Sequence, residues 1–265
     1  MVELSHVTHR AGRATLLDDV SVAFRQGRFN VIVGPNGAGK STLMRIASGL
    51  LRPSSGRVTY AGEEISSLSR EALARRRAVL SQNVELAFAL NVEDVVLLGR
   101  FPHYGATPTE SDRRIVSRAL DEIGLAEKRE QPYPTLSGGE KQKVQLARVL
   151  AQIWGDDDSR AHRVLFLDEP VTGLDVHYQI HILDSARAML DSGCTIVAVL
   201  HDLNLAFDYA DSVFVMNRGR IVLETDNAHE IQSSLIEEVF NVAAHQIGNP
   251  GDADRMWRFM RRDGL

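Results

Sequence analysis

A glycine-rich stretch near the N-terminus constrains this chain more than any other feature. Residues 34–41 read Gly-Pro-Asn-Gly-Ala-Gly-Lys-Ser and directly follow the apolar run at 31–33. This is the pattern G-x-x-x-x-G-K-[ST], in which a loop joins a strand to a helix and turns successive backbone N–H groups toward one anion. The helix that begins at the loop adds its positive end. A simple glycine-rich turn is the alternative, and the order of strand, glycines, Lys-Ser and helical pattern disfavours it.

Each residue type in this loop has a chemical task. Gly34, Gly37 and Gly39 allow backbone angles and close approaches that a side chain would block. The Lys40 ammonium can reach the β- and γ-phosphates of a nucleotide, and the Ser41 hydroxyl can ligate Mg²⁺. The residues expected to bind the nucleotide are Gly34, Pro35, Asn36, Gly37, Ala38, Gly39, Lys40, Ser41 and Thr42.

The composition is that of an ordinary globular protein. Hydrophobic residues make up 44% of the 265 residues and charged residues 25%, which supplies ample material for a core. The net charge of −5 lacks the basic footprint of a nucleic-acid-binding protein, so we expect no nucleic acid partner. The single Cys194 excludes an internal disulfide framework and is typical of a reducing compartment.

Segments that enter or cross a membrane are not expected. No basic stretch followed by an apolar core opens the sequence, so we predict no signal peptide. No stretch approaches the roughly 18 uninterrupted apolar residues that a spanning helix needs, so we predict no direct membrane span. A role at a membrane would therefore require a separate membrane partner.

The apolar pattern changes along the chain and predicts an α/β protein. Short strands are expected over 2–33, where apolar and polar residues alternate. Further on, the predicted helices and buried strands lie at 40–51, 91–99, 110–123, 138–154, 164–167 and 195–200. We predict an α/β nucleotide-binding core over 1–82 and 155–265, with 83–154 inserted as a helical subdomain.

Two adjacent carboxylates follow a buried strand. The apolar run 164–167 ends at Asp168 and Glu169, and ligands of open α/β sheets bind at the carboxyl ends of such strands. Asp168 suits a Mg²⁺ contact, usually through water, and Glu169 suits a general base for an attacking water. Two acids that merely open a surface loop are the alternative, which the presence of the phosphate loop disfavours.

A second helix start carries its own anion-binding character. Residues 136–140 read Leu-Ser-Gly-Gly-Glu, and Ser137 with Glu140 predicts a capping box at the start of a helix. A plain helix cap is the alternative, but two consecutive glycines exceed what capping needs and leave backbone N–H groups bare at a positive helix end. A chain with two such helix starts is suited to bind one nucleotide between two copies of itself.

These motifs together resemble those of the ATP-binding cassette (ABC) ATPases. The phosphate loop, residues 136–140, the Asp168-Glu169 strand end and a late His201 match the family over essentially the whole chain. The resemblance implies a single domain over 1–265 with a P-loop NTPase (RecA-like) core, an N-terminal antiparallel β subdomain and an inserted α-helical subdomain. It also implies ATP and Mg²⁺ as cofactors.

The resemblance further implies a homodimer in which the two copies share each ATP. Ser137 and Gly139 of one subunit would contact the γ-phosphate held by Lys40 of the other, and Gly138 between them is also implied to bind ATP. His201 would contact the same phosphate and act with the catalytic Glu169. The Mg²⁺ ligands implied are Ser41, Gln82 and Asp168.

Two further segments match the family. Gln82 corresponds to a loop glutamine that touches Mg²⁺ and senses the membrane partner, with an ordinary surface glutamine as the alternative. Residues 173–175, Gly-Leu-Asp, correspond to a short loop that couples the two ATP sites.

The sequence departs from the family pattern in three places. Glu140 stands where the family usually has Gln, which keeps the capping box. Residues 155–162 lengthen the chain before Asp168, and we expect a surface loop there. The family usually stacks an aromatic residue on adenine near the N-terminus, whereas this chain offers His9 or Arg10; either can stack on a base.

The helical part indicates which group of transporters is most similar. Residues 98–103, Leu-Gly-Arg-Phe-Pro-His, and the stretch 201–206 resemble cassettes that serve iron-siderophore, haem and cobalamin uptake. Residues 146–154 with the following insertion resemble the haem-import cassettes. The resemblance implies an ATPase coupled to haem import, peripheral on the cytoplasmic face of the inner membrane. Its partners would be two membrane permease subunits and an extracytoplasmic substrate-binding protein.

Several alternatives stay open at this stage. A siderophore or cobalamin importer and a soluble non-transport ABC ATPase share most of these motifs, whereas residues 136–140 argue against a P-loop kinase or GTPase. We expect His103 in a loop near the permease rather than as a haem ligand. The tail at 256–260 is expected to pack either on the core or on a second subunit.

Overall fold

The computed structural model contains both strands and helices, and it describes residues 1–81, 90–155, 163–248 and 256–261. The strands are β1 Val2–Ala11, β2 Ala14–Phe24, β3 Phe29–Val33, β4 Ser55–Tyr60, β5 Glu63–Glu64, β6 Arg77–Leu80, β7 Val164–Asp168, β8 Thr195–Val199, β9 Ser212–Asn217, β10 Arg220–Thr225, β11 Ala243–Ile247 and β12 Met256–Met260. The α-helices are α1 Lys40–Ala47, α2 Arg70–Arg76, α3 Val92–Leu97, α4 Glu110–Glu122, α5 Gly138–Ile153, α6 Val176–Ala188, α7 Leu203–Tyr209 and α8 Ser233–Phe240.

The chain divides into two compact units. The first contains residues 1–62 and 197–265, and the second contains residues 63–196. The helices α3, α4 and α5 all belong to the second unit, as does the whole segment predicted to form a helical subdomain. Its predicted limits at 83 and 154 stay a prediction. Gln82 and most of the predicted loop at 155–162 lie outside the described residues.

The first unit opens with the expected antiparallel sheet. The strand β1 pairs antiparallel with both β2 and β4, and Val2 lies opposite Phe24 on one side and Tyr60 on the other. The apolar residues of the alternating pattern in β2, Val20, Val22 and Phe24, are buried. A period of two therefore predicted this half-buried strand correctly.

A parallel pair of strands carries the phosphate loop of the first unit. The strand β3 runs parallel to β9, with Ile32 opposite Phe214, and every residue of β3 is buried. β10 adds an antiparallel edge beside β9. The N–H of Leu200, just after β8, donates to the carbonyl of Ile32 at 3.4 Å, so the end of β8 lies beside the end of β3. Parallel neighbours of this kind are buried on both faces and read as continuous apolar runs.

The second unit combines a parallel strand pair with helices. β6 runs parallel to β7, with Leu80 opposite Leu167. The N–H of Thr195 donates to the carbonyl of Arg163 at 2.8 Å, which sets the start of β8 beside the start of β7. α5 is the longest helix described, and its buried face is lined by Val144, Leu146, Ala147, Val149, Leu150, Ala151 and Ile153.

The C-terminal tail packs on its own chain. β11 and β12 form an antiparallel hairpin in which Gln246 lies opposite Trp257. The Trp257 side chain is only 7% exposed and lies 6.2 Å from Phe207 of α7, measured between ring centroids. Of the two expected positions for the tail, the structure therefore has the one on the core.

Candidate nucleotide-binding site

The glycines of the phosphate loop are required by close approaches of the backbone. A Cβ atom at Gly34 would lie 2.3 Å from the carbonyl oxygen of Met216. Gly39 has φ 102° at the N-cap of α1, and a Cβ there would lie 2.7 Å from the carbonyl oxygen of Leu16. Gly37 has φ 78°, a left-handed conformation in which a side chain is strained. The close approaches and positive φ angles predicted for these glycines are therefore found in the structure.

Lys40 is held by the loop that it completes. Its side chain is only 6% exposed, and its Nζ donates to the carbonyl oxygens of Gly34 at 2.8 Å and Pro35 at 3.0 Å. Ser41 follows in the first turn of α1 and is exposed. The arrangement presents an ammonium group beside the N–H groups of a helix start, which together suit a phosphate.

His201 lies in the same unit as this loop. The hydrogen bond from Leu200 to Ile32 fixes the residue before His201 beside β3, the strand that leads into the loop. On the other side, Asp202 caps α7, where its Oδ1 accepts from the N–H groups of Asn204 at 2.8 Å and Leu205 at 3.1 Å. The exposed His201 therefore occupies a short connection that is fixed at both ends.

The two predicted carboxylates end a strand of the second unit. Asp168 is the last residue of β7, and Glu169 adopts φ 53°. A glutamate in the left-handed region costs roughly 1–3 kcal/mol and persists only where the surrounding structure imposes it. Among the described residues, the other non-glycine positions with positive φ are His6, Asp19, Ala61, Arg218 and Asn241. The strain at Glu169 is the kind of outlier that marks functional positions.

The predicted capping box at Ser137 is confirmed. The Ser137 hydroxyl accepts from the N–H of Glu140 at 3.4 Å, and the Glu140 carboxylate accepts from the Ser137 N–H at 2.9 Å and hydroxyl at 2.8 Å. Gly138 and Gly139 form the first turn of α5. A Cβ at Gly139 would lie 3.6 Å from a methyl group of Leu174, so this helix start adjoins the 173–175 segment of the same unit.

Glu140, where the family usually has Gln, makes an additional contact. Lys128 forms an ion pair with its carboxylate. Hydrogen bonds from Lys128 and then from the Ser137 backbone and hydroxyl lower the pKa of Glu140 to about 2. The carboxylate therefore keeps the cap that a glutamine would make and adds a charged partner.

Two glutamines that sequence reasoning missed hold the loop after Glu169. The side-chain amide of Gln142 donates to the carbonyl of Pro170. That of Gln179 donates to the carbonyl of Leu174 at 2.9 Å. Asp175 caps α6 by accepting from the N–H of Tyr178 at 3.1 Å. No local pattern distinguishes these glutamines from surface ones, because the partner of Gln142 is 28 positions away and the bond from Gln179 to Leu174, five positions away, has no sequence signature.

The motif at 98–103 packs against α5 inside the second unit. A Cβ at Gly99 would lie 2.1 Å from the carbonyl oxygen of Arg148. The buried Arg100 pairs with the buried Asp112 at 2.9 Å and donates to the carbonyl of Ala151 at 2.8 Å, near the end of α5. These contacts dock the segment onto the last turns of that helix.

His103 lies after this motif in a loop, as expected. One ring nitrogen bonds the carbonyl of Gln152 at 2.7 Å. Burial, followed by the charge of Arg100, lowers the pKa of His103. A neutral imidazole bound to a helix end suits a structural role, and its proximity to a permease stays a prediction.

The adenine-stacking residue stays open between His9 and Arg10. Both lie in β1, where His9 is opposite Leu17 of β2. The Nδ1 atom of His9 is buried, and among the described residues it has no hydrogen-bond partner. Arg10 is exposed. The β1–β2 hairpin approaches the phosphate loop at Leu16, whose carbonyl oxygen would lie 2.7 Å from a Cβ at Gly39, and the stacking role of either residue stays a prediction.

The structure therefore groups the predicted residues by unit. The first unit brings the phosphate loop together with His201, and the second brings Asp168 and Glu169 together with the Ser137 helix start. Within the ranges given for the fold, no cluster of three or more His, Cys, Asp or Glu side chains is arranged to hold a metal ion. Over the same ranges, no helix has both the length and the apolar character needed to cross a membrane.

Comparisons with known proteins agree with these motifs. A family described as ABC transporter matches residues 17–172. A hemin import ATP-binding protein of Bradyrhizobium diazoefficiens is 41% identical over 244 residues, which are 92% of this chain and 90% of that protein. A protein of the same name from Agrobacterium fabrum is 42% identical over 243 residues, 91% of this chain and 92% of that protein.

Solved structures agree in fold. A nucleotide-free ATP-binding cassette from an ABC transporter superposes with a TM-score of 0.73 at 22% identity, covering 91% of this chain and 95% of that one. A dimeric ATP-binding cassette in a post-hydrolysis state, bound to ADP and phosphate, gives a TM-score of 0.73 at 26% identity, covering 85% of this chain and 98% of that one.

Proposed function

Because the chain belongs to the ABC transporter family of ATP-binding cassettes, we propose that it is the ATP-hydrolysing subunit of a hemin importer. The observation that carries the proposal is the likeness to hemin import ATP-binding proteins, at 41% and 42% identity over 90% or more of each chain. Because each match covers 91% or more of this chain, it spans the segment from the phosphate loop to His201.

The first unit supplies the groups that bind the phosphates of ATP. The N–H groups at the start of α1 and the Lys40 ammonium carry partial or full positive charge, which suits the β- and γ-phosphates. Lys40 then exchanges hydrogen bonds with the Gly34 and Pro35 carbonyls for bonds to phosphate oxygens. His201, fixed beside the same strand, contacts the γ-phosphate.

The residues expected to hold Mg²⁺ are oxygen donors. The exposed Ser41 hydroxyl and the Asp168 carboxylate at the end of β7 have the chemistry that Mg²⁺ prefers, and Gln82 is the third expected ligand. Bound Mg²⁺ would neutralise charge on the β- and γ-phosphates.

The second unit supplies the base and the groups that act on a second copy. Glu169 accepts hydrogen bonds from the attacking water and orients it, from a backbone conformation held by the surrounding loop. Ser137, Gly138 and Gly139 contact the γ-phosphate bound to the partner copy in a homodimer. Their N–H groups and hydroxyl stabilise charge that develops during phosphoryl transfer, mainly by position.

The remaining partners follow from the role in import. Two copies of the chain work with two membrane permease subunits on the cytoplasmic face of the membrane, and an extracytoplasmic substrate-binding protein delivers hemin. Ferric siderophores and cobalamin are the competing substrates, because specificity resides in the permease and the binding protein rather than in the ATPase.

Growth of a host that lacks this chain tests the substrate. Hemin, a ferric siderophore or cobalamin is supplied in turn, and the host is complemented with wild type, Lys40→Ala or the control Arg45→Ala, which removes an exposed cation from the same helix. We expect the host to fail to grow on hemin but to grow on the other two substrates. Wild type and Arg45→Ala should restore growth on hemin, and Lys40→Ala should not. Normal growth on hemin with failure on another substrate would replace hemin, and no uptake defect at all would indicate a non-transport ATPase.

A further inference from the structure

The side chain of Asn204 binds the backbone of the C-terminal hairpin at two points. Its Oδ1 accepts from the N–H of Trp257 at 2.7 Å, and its Nδ2 donates to the carbonyl of the same residue at 3.2 Å. Asn204 lies in the first turn of α7, whereas Trp257 lies in β12, more than fifty positions further along the chain. The side-chain amide of Asn204 thus bonds both the N–H and the carbonyl of Trp257, as the backbone of a neighbouring strand would.

The hairpin is a firm anchor for this contact. The buried Trp257 ring packs against Phe207 and stacks on Phe259, with ring centroids 6.4 Å apart in the second pair. The partner strand β11 is itself tied down, since the N–H of Ala244 donates to the Glu237 carboxylate at 3.0 Å. Movement of Trp257 would therefore disturb several packed residues.

The backbone of Asn204 also takes part in the N-terminal cap of α7. Its N–H donates to Asp202, which directly follows His201. The connection that carries His201 is thus held at Leu200 by the sheet, at Asp202 by the cap and at Asn204 by the hairpin.

Packing alone does not enclose this connection. A cavity of about 320 Å³ opens beside it, and its lining includes His201, Asn204, Phe240, Val242 and Phe259. Because the space beside this connection is open, the hydrogen bonds made at Leu200, Asp202 and Asn204 help to fix its position.

We propose that Asn204 is a positioning residue for His201, through which the C-terminal hairpin fixes the first turn of α7. The inference rests on the proposed contact of His201 with the γ-phosphate of ATP. By this proposal, the β11–β12 hairpin affects the rate of ATP hydrolysis without contacting ATP. Loss of the two hydrogen bonds would let the start of α7 shift and move His201 from the geometry needed in the transition state.

The experiment measures steady-state ATP hydrolysis by the full chain and its variants. For Asn204→Ala we expect kcat to fall about fivefold to tenfold while KM for MgATP changes less than about twofold. The reason is that the two hydrogen bonds to Trp257, which hold His201 in the position needed in the transition state, are lost. Asn204→Asp keeps the acceptor for the Trp257 N–H but sets a carboxylate oxygen against the Trp257 carbonyl, so its kcat should also fall below that of wild type. Asn227→Ala, which removes an exposed amide from the same unit, should leave kcat unchanged.

A double-mutant cycle separates positioning from general destabilisation. In a His201→Ala background, Asn204→Ala should cause no further loss of kcat, because residues that act through one group are non-additive. An additive loss, or a wild-type kcat in Asn204→Ala, would overturn the inference. A wild-type kcat in His201→Ala would instead overturn the proposed role of His201. Thermal unfolding of each variant is followed in parallel, and Asn204→Gln, whose longer amide cannot make both bonds, replaces Asn204→Ala in the cycle if the latter does not fold.

Discussion

Gln142 donates a hydrogen bond from its side-chain amide to the carbonyl oxygen of Pro170. Pro170 directly follows Glu169, and Gln142 lies in the second turn of the helix that begins at Ser137. The helix start proposed to contact the partner's ATP is therefore linked, within one unit, to the loop of the proposed base. A shift of α5 would be transmitted to a residue whose backbone is already strained.

Removing this link should slow hydrolysis without weakening ATP binding. For Gln142→Leu we expect kcat to fall about fivefold, because one hydrogen bond that holds the Glu169 loop is lost, while the Kd for ATP stays within about twofold. Gln131→Leu is the matched control, since Gln131 is in the same unit and its side-chain amide bonds the nearby hydroxyl of Thr135. Equal rates for both variants would show that the link to Pro170 has no catalytic consequence.

Gly99 should be intolerant of any side chain. A methyl group there would lie 2.1 Å from the backbone carbonyl oxygen of Arg148, which cannot move without displacing α5. We expect Gly99→Ala to lower the free energy of unfolding by about 2–3 kcal/mol, as overpacking against backbone does. Chemical denaturation measures this change.

Gly105 supplies the control for this prediction. It lies in the loop that follows the same motif, and a methyl group at Gly105 would meet nothing within 4 Å. Gly105→Ala should therefore change the free energy of unfolding by no more than about 0.5 kcal/mol. If the two alanine variants were equally stable, the close approach of Gly99 to α5 would be disproved.

The change in stability as the pH falls from about 5 to about 2 should depend in part on Glu140. Hydrogen bonds from Lys128 and from Ser137 lower the pKa of this carboxylate from 4.5 to about 2. A carboxylate whose pKa is lower in the folded protein stabilises it above the unfolded pKa, and the effect is lost as the pH falls through the folded pKa. The contribution should thus be complete above about pH 5 and vanish near pH 2.

Glu140→Gln isolates this contribution, since glutamine keeps the capping acceptor but does not titrate. We expect wild type to have the higher Tm at pH 7 and the difference to shrink as the pH is lowered toward 2. Lys128→Ala should reduce the same pH-dependent difference. A difference in Tm that is constant over this pH range would mean that the lowered pKa of Glu140 is wrong.

Local patterns predicted the elements that depend on neighbouring residues. The apolar run at 31–33 became the fully buried β3, and Ser137 with Glu140 formed the capping box at the start of α5. Both features need only residues a few positions apart, so periodicity and spacing suffice to find them. The strand that ends at Asp168 was found in the same way.

Contacts between distant residues could not be predicted in this way. Asn204 and Trp257 carry no shared pattern, and the amide of Gln142 reads as an ordinary polar residue of a helix. The buried role of Arg100 was equally hidden, because an arginine is usually exposed and its partner Asp112 lies twelve positions away in α4. The left-handed conformation of Glu169 is likewise imposed by the folded loop, since glutamate has no preference for it.

The most direct test of the account is phosphate release from ATP by wild type and by Glu169→Gln, with ATP binding measured on the same samples. The amide keeps the size of the side chain but cannot accept a proton. We predict that both proteins bind MgATP with Kd values within about twofold, and that phosphate release by the variant falls at least about a hundredfold. Hydrolysis by Glu169→Gln at the wild-type rate would contradict the assignment of Glu169 as the base on which ATP-driven import depends.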